Sequence, residues 1–378
     1  MSATPMSATL ELRRLAMPLV RPFRTSKGEE TVRDVLVASW TGTDGVTGWA
    51  ESAADAEPTY FPEYIDGVRR TIEQVLLPLL AESVDPAEPL TAGGVRRAFA
   101  EVPGNPLARG LLETAVLDAE LRRHQMPLVD FLGSTRRPIR VGVSVGIPGD
   151  LDTLLSWVGG YLEDGYRRVK LKIQPGWDLA PVRAVREAFG DELPLQVDAN
   201  QAYTPADIPL LTRLDEFGLV LIEQPFARHE LLAHAKLAAR HGTPVCLDES
   251  VLSLDDAMTA IRLGAADVIN IKPSRVGGYL TSRQIHDVCL ANGVGVFCGG
   301  TLETSIGRAA NLALATLPGF TLPGDISATS RYYAADIGPS FELDADGCLT
   351  APSGPGIGIQ VDLAAVQEFT VESTTLTL

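Results

Sequence analysis

RVKLKI (168–173), PLQVDAN (194–200), LVLIEQP (219–225), TPVCLDES (243–250) and DVINIKP (267–273) are short runs rich in branched apolar residues, each ending in polar or charged ones. Three similar runs flank them: RVGVSVGI (140–147) before, and GVGVFCGG (293–300) and FTLPGDIS (320–327) after. One marker near the end of each run, Ser144, Lys172, Asp198, Glu223, Asp248, Lys272, Cys298 and Asp325, recurs at spacings of 28, 26, 25, 25, 24, 26 and 27 residues. So regular a beat is what repeated strand–helix units produce. The segments between, such as WDLAPVRAVREAFG (177–190) and LDDAMTAIRLGA (254–265), carry apolar residues at steps of three and four and read as helices. Eight strands alternating with helices imply an α/β fold with a parallel sheet, which closes most readily into a (β/α)8-type barrel. The alternative, a doubly wound open sheet, would not favour eight equal beats, and no phosphate-binding GxGxxG follows the first strand.

Outside the beat the pattern changes. LELRRLAMPLV (10–20), VRDVLVASWT (32–41) and VTGWAES (46–52) read as an antiparallel meander, and LARGLLETAVLDAELRRH (107–124) as a long amphipathic helix. An α+β capping domain is therefore expected at 1–135 and the barrel at 136–336. The turn-rich tail at 337–378 is expected to pack back on the cap. The opening MSATPMSATL repeats MSAT, with Met1 and Met6 as possible starts, and reads as a loose tail. A chain of 378 residues exceeds what one core usually supports, which agrees with a large barrel and a smaller companion.

With 32 basic against 48 acidic residues the net charge is −16, which repels a phosphate backbone and argues against nucleic acid as a partner. No apolar run approaches a membrane span and no leader pattern is visible, so a cytoplasmic protein without membrane contact is expected. Cys246, Cys289, Cys298 and Cys348 are widely separated and are expected to be buried, reduced thiols.

In such a barrel the strand ends that carry function lie at one mouth. Runs two to six end in Lys172, Asp198, Glu223, Asp248 and Lys272. The three carboxylates come from adjacent strands and would repel one another unless joined by a cation. An all-oxygen set suits Mg²⁺. The bland alternative is three unrelated strand-end caps, against which the shared register argues. Lys172 and Lys272 stand four strands apart out of eight, on opposite sides of the mouth, with the acids between. Two bases facing each other across one carbon can take a proton from either face, as a racemase or an eliminase requires. Burial, Mg²⁺ and the neighbouring Lys170 would each favour the neutral amine of Lys172.

VKLKI, VDAN, IEQP, CLDES and NIKPSRVGG resemble the lysine and metal-ligand motifs of the muconate-lactonizing subgroup of the enolase superfamily. PFRTS, GVSVGI, KIQPGWD, GGTLETSIGRAAN and TLPGDISA resemble more narrowly its N-succinylamino acid racemase and o-succinylbenzoate synthase branch. The resemblance implies a modified TIM barrel and Mg²⁺-dependent removal of a proton α to a carboxylate through an enediolate, with Mn²⁺ or another divalent cation able to substitute. It implies Lys172 and Lys272 as the acid/base pair and Asp198, Glu223 and Asp248 as ligands. Lys170, Ser144, Asn200 and Gly300 are implied to lie near a small carboxylate substrate, in an enzyme expected to be a homo-oligomer. Arg275 resembles an arginine that tunes the adjacent lysine in racemising members. Two positions depart from the branch: Lys27 replaces an aromatic and Thr301 a methionine, and both make the pocket more polar. Lys27 then becomes a candidate cation for a succinyl carboxylate. Cycloisomerisation and dipeptide epimerisation remain alternative reactions of the same subgroup.

Two other motifs carry less. GVSVG around Ser144 matches a serine nucleophile pattern, but GIPGD follows in place of the required strand-to-helix turn. His229 and His234 are five apart, a poor spacing for a zinc pair on one helix face, and are expected to be solvated. A non-catalytic binding barrel would need no base on each face.

Overall fold

The computed structural model describes residues 7–83 and 88–378, so the choice between Met1 and Met6 lies outside the described residues. Three antiparallel strands open the chain: β1 (Thr9–Thr25), β2 (Gly28–Thr41) and β3 (Thr47–Ser52). Thr9 and Leu10 belong to β1 and Ala8 is buried, contrary to the expected loose tail, because the sheet continues to the very start of the apolar alternation. The sheet is covered on both sides. Leu10, Leu12, Leu36, Ala38 and Trp40 pack in one core with the helix Pro106–Arg123, whereas Leu15, Met17, Val35 and Val37 join the core of the barrel. The period of two along each strand makes this division possible.

A two-residue strand β4 (Ile139–Arg140) leads into β5 (Val143–Val145), β6 (Val169–Lys172), β7 (Leu195–Asp198), β8 (Ile222–Glu223), β9 (Val245–Leu247), β10 (Val268–Ile271) and β11 (Gly295–Cys298). Strands β5 to β11 form one parallel sheet in sequence order, curled with helices between its strands. The structure corrects the expected eighth strand. Run 320–327 makes only single backbone contacts to its neighbours: Gly142 N donates to Gly324 O at 2.8 Å and Asp325 N to Cys298 O at 3.2 Å. Pro323 has no N–H to offer a ladder. A Cβ on Gly324 would overlap the Cys298 carbonyl, so the seam closes by close backbone approach instead of pairing. Beyond it, β12 (Cys348–Leu349) pairs with β4, and β13 (Thr370–Thr377) forms the edge of the first sheet beside β1.

Among the described residues no helix is long and apolar enough to cross a membrane. All four cysteines are free and buried.

Candidate active site

Parallel pairing sets the side chains of the mouth in register. Lys172 lies opposite Asp198, and Asp198 opposite Glu223, across β6, β7 and β8. Asp248 and Lys272 each follow directly on the last residue of β9 and β10. Arg168, just ahead of β6, and Lys170 and Lys172 along it alternate with apolar residues and are all buried, so three cations share one side of this stretch of chain. Buried charge is tolerated only when paired, and each of these finds an acid.

Lys172 Nζ donates to Asp198 Oδ2 at 2.6 Å and to Asn200 Oδ1 at 2.8 Å. Lys170 Nζ donates to Glu223 Oε2 at 2.9 Å and to Asp325, and lies 3.4 Å from Asp198. Arg168 holds the other oxygen of Asp325 at 2.6 Å. On the opposite side Lys272 Nζ donates to Asp248 Oδ2 at 2.8 Å, while Arg275, wholly buried, pairs with Oδ1 of the same carboxylate. Tyr60 from the first domain donates to Asp248 at 3.2 Å and sets its ring 5.9 Å from the Lys272 ammonium.

Burial pushes Lys170 towards the neutral amine, but Asp325, Glu223 and Asp198 outweigh it and raise its pKa well above the ordinary value. The acids around Lys170 thus favour its charged form. Burial raises Asp198 and Asp325, yet the lysines and Arg168 around them bring both below the usual carboxylate range. Burial pulls the Arg275 guanidinium down to about 10, which leaves it charged at neutral pH.

A cavity of about 310 Å³ opens over these groups, lined by Lys27, Ser144, Lys170, Lys172, Asn200, Lys272, Gly300 and Thr301 among others. Asp198, Glu223, Asp248 and Arg275 sit behind the lysines. Lys27 is exposed at the Ser26–Lys27 turn between β1 and β2, and Ser26 Oγ donates to Ala199 O at 3.2 Å, so the hairpin tip rests on the mouth. Ser144 Oγ is buried without a partner. The loops around the cavity hold non-glycine residues at positive φ, Asn200 at 43°, Gln201 at 67°, Gln224 at 38° and Leu302 at 56°, the kind of strain that gathers at functional sites.

The acids do not stand as a ready-made cage. Among the described residues no three histidine, cysteine or carboxylate side chains come together closely enough to hold a metal, because each carboxylate faces an ammonium or guanidinium in preference to another carboxylate. The donor set nonetheless fits a hard divalent cation. Asp198, Glu223 and Asp248 supply only oxygens from three adjacent strands. Next to Asp248, Glu249 is buried; its Oε1 accepts from Asn200 Nδ2 at 3.1 Å, but its Oε2 has no partner.

Several residues escaped the reading of the sequence. Asp325 served only as a period marker, although it anchors Lys170. Its signal was the three alternating cations of RVKLKI, which demand buried acids. Asn270, which donates to Glu223 Oε1 at 2.8 Å, and Tyr60 gave none. His229 is exposed as expected, but His234 is buried on the inner face of the helix Leu231–Ala238. There it packs on Phe226, its Nδ1 2.8 Å from Glu230 O, and burial pushes it down to about 4. The apolar spacing of LLAHAKLA would have placed it inside.

Residues 8–133 match the mandelate racemase / muconate lactonizing enzyme N-terminal domain, and residues 155–365 the enolase C-terminal domain-like family. An N-succinylamino acid racemase of Amycolatopsis sp. is 52% identical, the match covering 97% of each chain. An o-succinylbenzoate synthase of Geobacillus kaustophilus is 44% identical over 95% of this chain and 94% of its own. The crystal structure of an enolase-superfamily member from Listeria innocua superposes with a TM-score of 0.92 at 37% identity, covering 98% of this chain and 99% of that one. The chain belongs to the mandelate racemase / muconate lactonizing enzyme family and is an enzyme of the enolase superfamily.

Proposed function

We propose that the protein racemises N-succinylamino acids, and that the dehydration forming o-succinylbenzoate is a second activity of the same mouth. The observation that carries this reading is the pair Lys172 and Lys272, buried to similar degrees at 8% and 7% exposure, lining one cavity from strands four apart, with three carboxylates on the strands between. Identity to both a racemase and a synthase supports it.

Mg²⁺, or Mn²⁺ or another divalent cation in its place, would be held by Asp198, Glu223 and Asp248 and supplies positive charge beside the substrate carboxylate when bound. The protein's own groups do the rest. Lys172 as the neutral amine takes the α-proton from one face, and the C–H electron pair passes into the carboxylate. Lys272 as the ammonium returns a proton to the other face, inverting the centre; the reverse assignment serves the other enantiomer. Asn200 orients Lys172, and Lys170 is the fixed cation of the mouth. Ser144, Gly300 and Thr301 line the substrate's bed, Lys27 meets the succinyl carboxylate, and Arg275 tunes Lys272 through their shared Asp248. In the dehydration one lysine takes the α-proton and returns it to the departing hydroxyl as the C–O bond breaks, so that water leaves, and the other lysine serves as a stationary cation. The cap at 1–135 with the tail at 337–378 would close over a barrel at 136–336. The four free thiols support a cytoplasmic location, and we expect a homo-oligomer.

The test is kcat/KM on both substrates for the wild type and Arg275→Gln. We expect both reactions in the wild type and a larger loss of racemisation than of dehydration in the variant. Fast dehydration without racemisation in the wild type overturns the racemase assignment, and absence of both overturns the substrate.

A further inference from the structure

The seam that run 320–327 closes without a strand leaves a second cavity, of about 830 Å³, on the side of the barrel where the strands begin. Arg140, Arg168 and Pro194 line it from positions just ahead of β5, β6 and β7, at the end opposite the mouth. Arg137 and Arg167 complete a set of four arginines around it.

Their partners leave most of that charge uncompensated. Arg137 donates to main-chain carbonyls near the end of the helix Ser305–Ala315, among them Leu317 O at 3.2 Å and the Phe320 carbonyl. Arg167 reaches only Leu162 O at 3.4 Å and Tyr166 O at 3.5 Å. A carbonyl satisfies a guanidinium hydrogen but carries no net charge. Among the described residues Arg137, Arg140 and Arg167 enter no ion pair, whereas Arg168 is held by Asp325 and keeps one buried nitrogen, Nε, without a partner. Among the described residues Asp346 is the one acid in the lining, and Asp325, which holds Arg168, belongs to the lining of the mouth.

A chain of net charge −16 repels anions over most of its surface, so a concave patch with three unpaired guanidiniums is the exception that focuses them. Guanidinium forks match the planar oxygens of carboxylates and phosphates, and the volume falls in the roughly 300–1,000 Å³ range of small-molecule sites. We propose that this seam cavity binds a small anion bearing two or more negative charges, a phosphate or a polycarboxylate, at a site separate from the mouth.

Isothermal titration with inorganic phosphate and with succinate, at fixed ionic strength, tests this on the wild type, on Arg140→Gln/Arg167→Gln and on Asp346→Asn. Arg140 and Arg167 are exposed and lie outside the mouth, so the double variant is expected to keep the wild-type turnover, which also reports that it is folded. We expect saturable binding of at least one probe, weakened at least tenfold in the double variant and tightened several-fold in Asp346→Asn. The tighter probe identifies the ligand class. No saturable binding of either probe overturns the proposal, as does equal affinity in all three proteins, which would place any binding at the mouth. Should the double variant fail to fold, unchanged affinity in Asp346→Asn alone overturns it.

Discussion

Asp198 and Asp325 at the mouth and Glu51 and Glu113 where the first domain meets the barrel are carboxylates that behave in opposite ways. Asp198 and Asp325 are fully enclosed yet held below the usual range, because lysines and Arg168 outweigh the cost of burial. Glu51 on β3 is partly buried, and accepts from Thr304 N at 3.1 Å, Gly307 N at 3.0 Å and the Thr304 hydroxyl, at the start of the helix Ser305–Ala315. Burial pushes it up to about 8, and pushes Glu113 up to about 7. Neutral donors satisfy a carboxylate's oxygens, whereas the cations beside Asp198 and Asp325 also stabilise its charge. Asp198 and Asp325 therefore depend on the cations beside them, while Glu51 and Glu113 are hydrogen-bonded by neutral backbone and hydroxyl donors that tolerate neutralisation.

The largest effect should come from removing an acid at the mouth. Asp198→Asn leaves Lys172 without its ion-pair partner and strips one proposed ligand, so turnover should fall by roughly 10³-fold and added Mg²⁺ should not restore it. Chelation of the wild type should likewise abolish turnover. Full activity in a metal-free sample would break the metal reading.

At the interface the expected effect is on stability and has a definite sign. Glu51 binds its proton more tightly folded than unfolded, so its contribution is present below about pH 4.5 and is lost as pH rises through about 8. Urea midpoints of the wild type should fall across that window, and Glu51→Gln should flatten the fall. An identical slope in both would show that the caps do not titrate as argued.

The smallest effect belongs to Lys27, exposed at the hairpin tip. Lys27→Ala should raise KM several-fold for a succinylated substrate, in line with the roughly 0–1 kcal/mol of exposed pairs. It should leave kcat within about twofold and an acetylated substrate unaffected. Equal changes for both acyl groups would remove the succinyl contact from the account.

Much of this was legible because the barrel writes its period into the chain: a 25-residue beat locates Lys172, Asp198, Glu223, Asp248 and Lys272 without any knowledge of contacts. The same beat misled at its eighth step, where Pro323 and Gly324 were visible but were outweighed by regularity. Charge partners were not legible, since Lys170 and Asp325 are 155 residues apart and meet only when the sheet curls. The burial of His234 follows from the apolar face it shares with Ala233 and Leu237, which its spacing from His229 does not reveal.

The central claim is that Lys172 and Lys272 each serve one face of the same carbon. It is tested most directly by exchange of the α-hydrogen of D- and L-N-succinylamino acids in heavy water, followed separately for each enantiomer. The wild type should exchange both, Lys172→Ala only one, and Lys272→Ala only the other. Equal residual exchange of both enantiomers in either variant would contradict the two-base arrangement.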